Sequence, residues 1–255
     1  MLEAQHLVKR FFGTAVVDDV SFALRPGEVT GYLGPNGSGK TTTLRMLTGL
    51  TEPSAGSVSF QQRRISDDLV GFRRHLGYVP EEPFLYPFMS GREYLELVGR
   101  LRELPESLLS RKIPAMLILL GMGDAGEQSI SAYSKGMKQK ILICAALLHD
   151  PDVIVFDEPE SGLDVGAVLV LRHLVRELAS RGKAILYSSH ILESVEKVCA
   201  NVIVLHRGRV VANASVEHLR TVMARGSLEE VFSELVLRDD PARTAADIAE
   251  VVAIR

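Results

Sequence analysis

Gly34-Pro35-Asn36-Gly37-Ser38-Gly39-Lys40-Thr41 has the spacing GxxxxGKT and stands where an apolar run gives way to helical periodicity. Before it, Val29-Thr30-Gly31-Tyr32-Leu33 reads as a buried strand; after it, Thr42-Thr43-Leu44-Arg45-Met46-Leu47 carries apolar residues at helical spacing. Strand, glycine turn and helix start follow in that order. Glycines let backbone N–H groups converge on oxygens without Cβ interference, and the open end of a helix favours negative charge. In this pattern Lys40 is placed to reach β and γ phosphates, and the Thr41 hydroxyl to ligate Mg²⁺. A plain Gly/Ser-rich turn is the competing reading. Four fixed positions match by accident about once per hundred chains of this length, and the strand-to-helix setting lowers that further.

Downstream, Val153-Ile154-Val155-Phe156 is a continuous apolar run that leads into Asp157-Glu158-Pro159. The end of a buried parallel strand is where acidic groups of a nucleotide site are expected, and two adjacent carboxylates suit a metal and a base. A solvated acidic turn would look similar in isolation; paired with the glycine loop, the signal is strong. Ala184 to Ser189 reads as a further strand ending at His190, after a helix over Val165 to Arg181.

Upstream, Leu2–Arg10 and Val16–Leu24 read as two strands that alternate only loosely. Phe11 or Phe12 between them is either a ring that stacks on adenine or a core phenylalanine. In the middle of the chain, Ser57–Phe60 and Leu76–Pro80 read as strands and are followed by the aromatic loop Phe84 to Met89. Ser90-Gly91-Arg92-Glu93 has capping-box spacing and predicts a helix to about Leu101. Glu106 to Leu120 continues helical, with Pro114 as a break or a start. A helix is expected over Ile141–Leu148, stopped by Asp150-Pro151, and a last one over Ile191–Cys199. Val202–Leu205 and Val210–Ala212 flank His206-Arg207-Gly208-Arg209 as a hairpin. Strand and helix alternate from Val29 onward, which calls for a mainly parallel sheet covered on both faces.

Composition narrows the classes. The chain of 255 residues carries a net charge of −3, which gives no overall basic field, and nucleic acid is not expected as a partner. No run of eighteen apolar residues appears, and Met1 to His6 lack the succession of a secretory signal. The two cysteines, Cys144 and Cys199, lie far apart in apolar surroundings and read as buried, reduced thiols.

Taken together and in order, these segments resemble the ATP-binding subunit of an ABC (ATP-binding cassette) transporter, over nearly the whole chain to about residue 220. Gly34 to Thr41 matches the Walker A loop, and Val153 to Glu158 matches Walker B with the catalytic glutamate after it. Ser161-Gly162-Leu163-Asp164 matches the D-loop and His190 the switch histidine. Ser134-Lys135-Gly136-Met137-Lys138-Gln139 occupies the place of the signature usually written LSGGQ. The resemblance implies an α/β P-loop NTPase with a mainly parallel core sheet, an N-terminal antiparallel β subdomain and a helical lobe at about 84–150. It implies a nucleotide-binding domain over 1–225 and a short helical extension over 226–255. Two such subunits, alike or merely related, would sandwich ATP, with Phe11, residues 34–42 and Lys40 of one facing Ser134, Gly136 and Met137 of the other. Thr41, Glu81 and Asp157 would hold Mg²⁺; Glu158, His190 and Lys40 would carry the catalysis.

The chain departs from the family pattern in three segments, at four positions. Glu81 stands where glutamine is usual, Lys135 and Met137 replace glycine and glutamine in the signature, and Glu160 replaces a threonine. Nothing in the sequence accounts for the last. The Ser-Lys-Gly-Met form resembles a variant of one exporter branch, and Ser227-Leu228-Glu229-Glu230-Val231-Phe232 resembles an exporter-type C-terminal element. The expected partner is a transmembrane permease subunit, which would hold the chain on the cytoplasmic face of the cell membrane. The competing class is a soluble cassette ATPase of an assembly machinery, such as iron–sulfur cluster assembly. Phe84 to Met89 bears on the choice, either as an exposed groove for a partner's helix or as rings that pack the lobe.

Overall fold

The computed structural model describes residues 1–190 and 192–222; the extension expected over 226–255 lies outside them. The N-terminal part holds β1 (Leu2–Phe11), β2 (Thr14–Leu24), β3 (Val29–Leu33), α1 (Lys40–Leu47), β4 (Ala55–Phe60), β5 (Arg63–Arg64), α2 (Leu69–Arg74) and β6 (Leu76–Val79). The middle is helical, with α3 (Gly91–Leu101), α4 (Glu106–Leu119) and α5 (Lys135–Leu147). Strands return in β7 (Val153–Asp157), α6 (Val165–Ser180), β8 (Ala184–Ser188), α7 (Leu192–Val198), β9 (Asn201–His206), β10 (Arg209–Ser215) and α8 (Val216–Val222).

Two sheets result. The order β10-β9-β3-β8-β7-β6 is parallel except at β10, and β2-β1-β4-β5 is antiparallel. Every residue of β3, β7 and β8 is buried, which is why these strands read as unbroken apolar runs. The loose alternation of β1 has a different cause. Its register against β2 slips between Ala4 and Leu7 and again on either side of Lys9, and His6 adopts φ 50°, so bulges break the period of two.

Three apolar cores hold these layers. One packs α5, α6 and α7 on the parallel sheet through Ile143, Leu171 and Val195; a second fills the space between the two sheets around Leu7, Tyr32 and Leu44. The third belongs to α3, α4 and α5, through Leu95, Ile113 and Ile141. Ser90 caps α3 as expected, accepting from Glu93 N while the Glu93 carboxylate accepts from Ser90 N. α4 runs through Pro114 without a break. Burial of Leu109, Ile113 and Leu117 on that helix offsets the roughly 3 kcal/mol that an interior proline costs.

One boundary differs from the sequence reading in a way that matters for the site. α5 starts at Lys135 and not at Ile141, because Ser134 is its N-cap and accepts from Met137 N. Among the described residues no helix is long and apolar enough to cross a membrane. Both cysteines are free and buried.

Candidate functional site

α1 begins directly at the glycine loop. Its N-cap is Gly39 at φ 103°, no side chain caps it, and no acid stands in its first turn, so Gly39 to Thr42 present an uncompensated positive helix end. Glycine is required at 39 on two counts. The left-handed φ disfavours any side chain, and a Cβ would stand 2.7 Å from the Val16 carbonyl oxygen.

A cleft of about 360 Å³ opens over this helix end. Asn36, Gly37, Gly39, Lys40, Thr41 and Thr42 form one wall; Glu81, Asp157, Glu158 and His190 form the other. The four elements that supply them are adjacent strand ends of the parallel sheet, β3, β6, β7 and β8. The Lys40 ammonium donates to the Gly34 carbonyl at 2.6 Å and to that of Pro35 at 3.2 Å. Burial pulls its pKa down, against the opposing pull of Glu158, Asp157 and Glu81. Ser38 is buried within the loop.

Asp157 is the most perturbed carboxylate of the cleft. Burial, and after it the nearby charges of Glu81 and Glu158, raise its pKa from 3.8 to about 6. Its Oδ2 is buried and has no hydrogen-bond partner. A desolvated carboxylate oxygen with nothing to accept, beside a threonine hydroxyl and a second carboxylate, is a set of hard oxygen donors that fits Mg²⁺. Glu158 follows in a strained backbone, φ 49°, its N–H donating to Ser188 O at 3.1 Å. That turn aims its carboxylate at His190, whose Nδ1 lies 2.7 Å from Oε2. The histidine is 68% exposed at its side chain and the glutamate 11%, so the pair joins a buried acid to a solvent-facing ring.

Other expected residues lie elsewhere. Phe11 is at the far end of β1 with Lys9 Nζ 5.3 Å from its ring centre, and the cleft is lined by Val16 instead. The cleft also lacks Ser134, Gly136 and Met137, which sit together at the start of α5 with Ser134 exposed. That start rests on the loop after Glu158. A Cβ on Gly136 would stand 2.3 Å from Gly162 O, Lys135 Nζ donates to Ser161 Oγ at 2.6 Å, and Gln139 Nε2 donates to Pro159 O at 3.3 Å.

Sequence reading also missed what surrounds Glu160. Its buried carboxylate accepts from Arg172 Nε at 2.8 Å and Nη2 at 3.2 Å, from Tyr187 OH at 2.8 Å and from Ser194 Oγ at 2.7 Å. Burial acts to raise its pKa, but these donors outweigh it and hold the group below the ordinary glutamate range.

Comparison with known proteins agrees with this geometry. A family model described as ABC transporter matches residues 17–161. The "Uncharacterized ABC transporter ATP-binding protein YhcH" of Bacillus subtilis (strain 168) is 37% identical over 212 residues, spanning 83% of this chain and 68% of that protein. The "Nod factor export ATP-binding protein I" of Ralstonia nicotianae is 35% identical over 234 residues, spanning 92% of this chain and 73% of that one. A solved "Structure of ATP binding subunit of ABC transporter" superposes with a TM-score of 0.87 at 35% identity, over 92% of this chain and 99% of the other. An anion-attracting helix end faces three carboxylates and a histidine, on a fold shared at this level of identity: the chain belongs to the ABC transporter family as an ATP-binding subunit, an ATPase of the kind that powers transport.

Proposed function

We propose that this chain is the motor of a membrane exporter, in which two cassette subunits close on ATP and reopen after hydrolysis. In this reading the β and γ phosphates lie on residues 34–42 with Lys40 against them. Thr41, Asp157 and Glu81 would hold Mg²⁺, which would supply neutralising charge at the phosphate oxygens. Glu158 orients the attacking water and takes its proton, and His190, 2.7 Å from it, faces the γ-phosphate side of the cleft. Ser134, the N-cap of α5, and Gly136 in its first turn serve the nucleotide of the opposite subunit from the positive end of that helix.

The observation that carries the reading is the Asp157–Glu158–His190 wall facing Lys40, with Asp157 Oδ2 orphaned. Export, as opposed to uptake, is supported by the relative named for Nod factor export. Docking on a permease is supported by the aromatic loop, where Phe84 and Phe88 are each 79% exposed and Tyr86 is 52% exposed. These rings do not pack the lobe interior. Beside Phe84 a groove of about 280 Å³ is lined by Tyr94, Val98 and Leu142, a fit for a short amphipathic helix.

Glu158→Gln tests the mechanism. ATP turnover should fall by at least a hundredfold while ATP binding is retained, and the ATP-bound protein should elute as a dimer in gel filtration. Turnover within twofold of wild type would remove Glu158 from this role. Co-purification from detergent-solubilised membranes tests the partner; recovery only with soluble assembly factors would refute it.

A further inference from the structure

We infer that Glu160 is a positioning residue that locks the loop after the base to the His190 turn, so that Glu158 and His190 are set by one buried carboxylate. The inference rests on the reading of Glu158 and His190 given above.

Three elements that are remote in sequence meet on this side chain. Arg172 comes from α6, 12 residues on, Tyr187 from the last residue but one of strand β8, 27 residues on, and Ser194 from α7, 34 residues on. Arg172 Nη2 also donates to Ser194 Oγ at 2.7 Å, which closes the cluster into a ring. His190 lies in the chain between Tyr187 and Ser194, so both arms of its turn end on Glu160. On the other side, Ser161 N donates to Glu158 O at 3.1 Å, closing a turn that contains Glu160, and Leu163 N donates to Glu160 O at 3.1 Å, so the anchored residue sits inside the turn that follows Glu158.

A buried ion pair is poor value as a stability device, because desolvation of both charges offsets most of the attraction. Its use is geometric: the two oxygens of the carboxylate accept four bonds from three different elements, and a fully satisfied buried network rigidifies what it joins. Here it joins the two halves of the Glu158–His190 pair. The same loop is braced on its opposite face by α5 through Lys135, Gly136 and Gln139. A threonine at position 160 would reach at most one of the three partners and would leave the half-buried Arg172 without its two-pronged carboxylate partner. Glu160 and Arg172 therefore form a matched pair.

The test measures kcat, KM and, separately, ATP affinity by a fluorescent nucleotide in Glu160→Gln, His190→Ala and the double variant. Glu160→Gln keeps the size of the side chain and removes the charge that Arg172 faces. The expected result is a roughly tenfold fall in kcat with unchanged ATP affinity, and no further fall when the change is added to His190→Ala. Should Glu160→Gln fail to fold, Tyr187→Phe removes one donor at constant shape; a twofold to threefold fall in kcat is expected, again absent in the His190→Ala background. Full kcat in the folded variants, loss of affinity in place of kcat, or a fall that multiplies with that of His190→Ala would each overturn the inference. A His190→Ala enzyme with full turnover would instead overturn the parent reading of His190, and the inference with it.

Discussion

In the absence of nucleotide and magnesium, Asp157→Asn should make this protein more stable, by an amount that depends on pH. The wild-type carboxyl is raised from 3.8 to about 6 by burial and by Glu81 and Glu158, and its Oδ2 accepts no hydrogen bond that asparagine would lose. The folded state thus binds this proton more tightly than the unfolded chain does, and stability is lost as pH rises from about 4 through about 6. At pH 7.5 the full displacement applies and equals about 3 kcal/mol. At pH 5 the folded protein is already mostly protonated there, and the penalty falls to about 1.5 kcal/mol. Asparagine carries no charge at either pH. Thermal melts in EDTA should therefore place the variant about 6 to 12 °C above wild type at pH 7.5, and about half as far at pH 5. Equal midpoints at pH 7.5, or a gain that does not shrink at pH 5, would refute the description of Asp157 as a desolvated, charge-crowded carboxylate.

The same carboxylate predicts that affinity for Mg·ATP weakens roughly tenfold between pH 7 and pH 5, since the proton competes with the metal below about 6; Asp157→Asn should bind more weakly and lose that component, as titration of a fluorescent nucleotide would show. Gly136→Ala places a Cβ where Gly162 O stands at 2.3 Å, so the signature turn must shift; a loss of about 1–3 kcal/mol by urea denaturation and a fall in kcat are expected, and wild-type behaviour in both would contradict the contact. Ser90→Ala removes one half of a capping box and should cost about 1 kcal/mol without changing ATP affinity, measured by the same two assays.

Much of the fold was legible because its signals are local. Val153–Asp157 announces itself by five consecutive buried residues, and the capping box at Ser90 spans only four positions. The glycine loop and the acids of β7 could be paired because both end strands of one parallel sheet. The start of α5 was misplaced by six residues because Lys135 to Lys140 lack apolar periodicity; the Ser134 cap and tertiary contact with Gly162 form the turn there. α2 went unnoticed because six residues carry too little periodic signal, although Asp68 caps it by accepting from Gly71 N. Val16 and the partners of Glu160 had no signal at all. Their places follow from how strands register across the sheets, and a buried carboxylate with its donors 12, 27 and 34 residues away looks in sequence like any acid in a turn.

The two buried thiols have a practical sequel. Burial pushes the Cys144 thiol up to about 12 and moves Cys199 in the same direction, so at neutral pH almost none of either is in the form that alkylating reagents attack. The wild-type chain is therefore close to silent toward maleimides while folded. A cysteine introduced at exposed Ser134 would stand as a single reporter, and its bridging to a matching cysteine near the glycine loop of a second chain would measure how often the two surfaces meet.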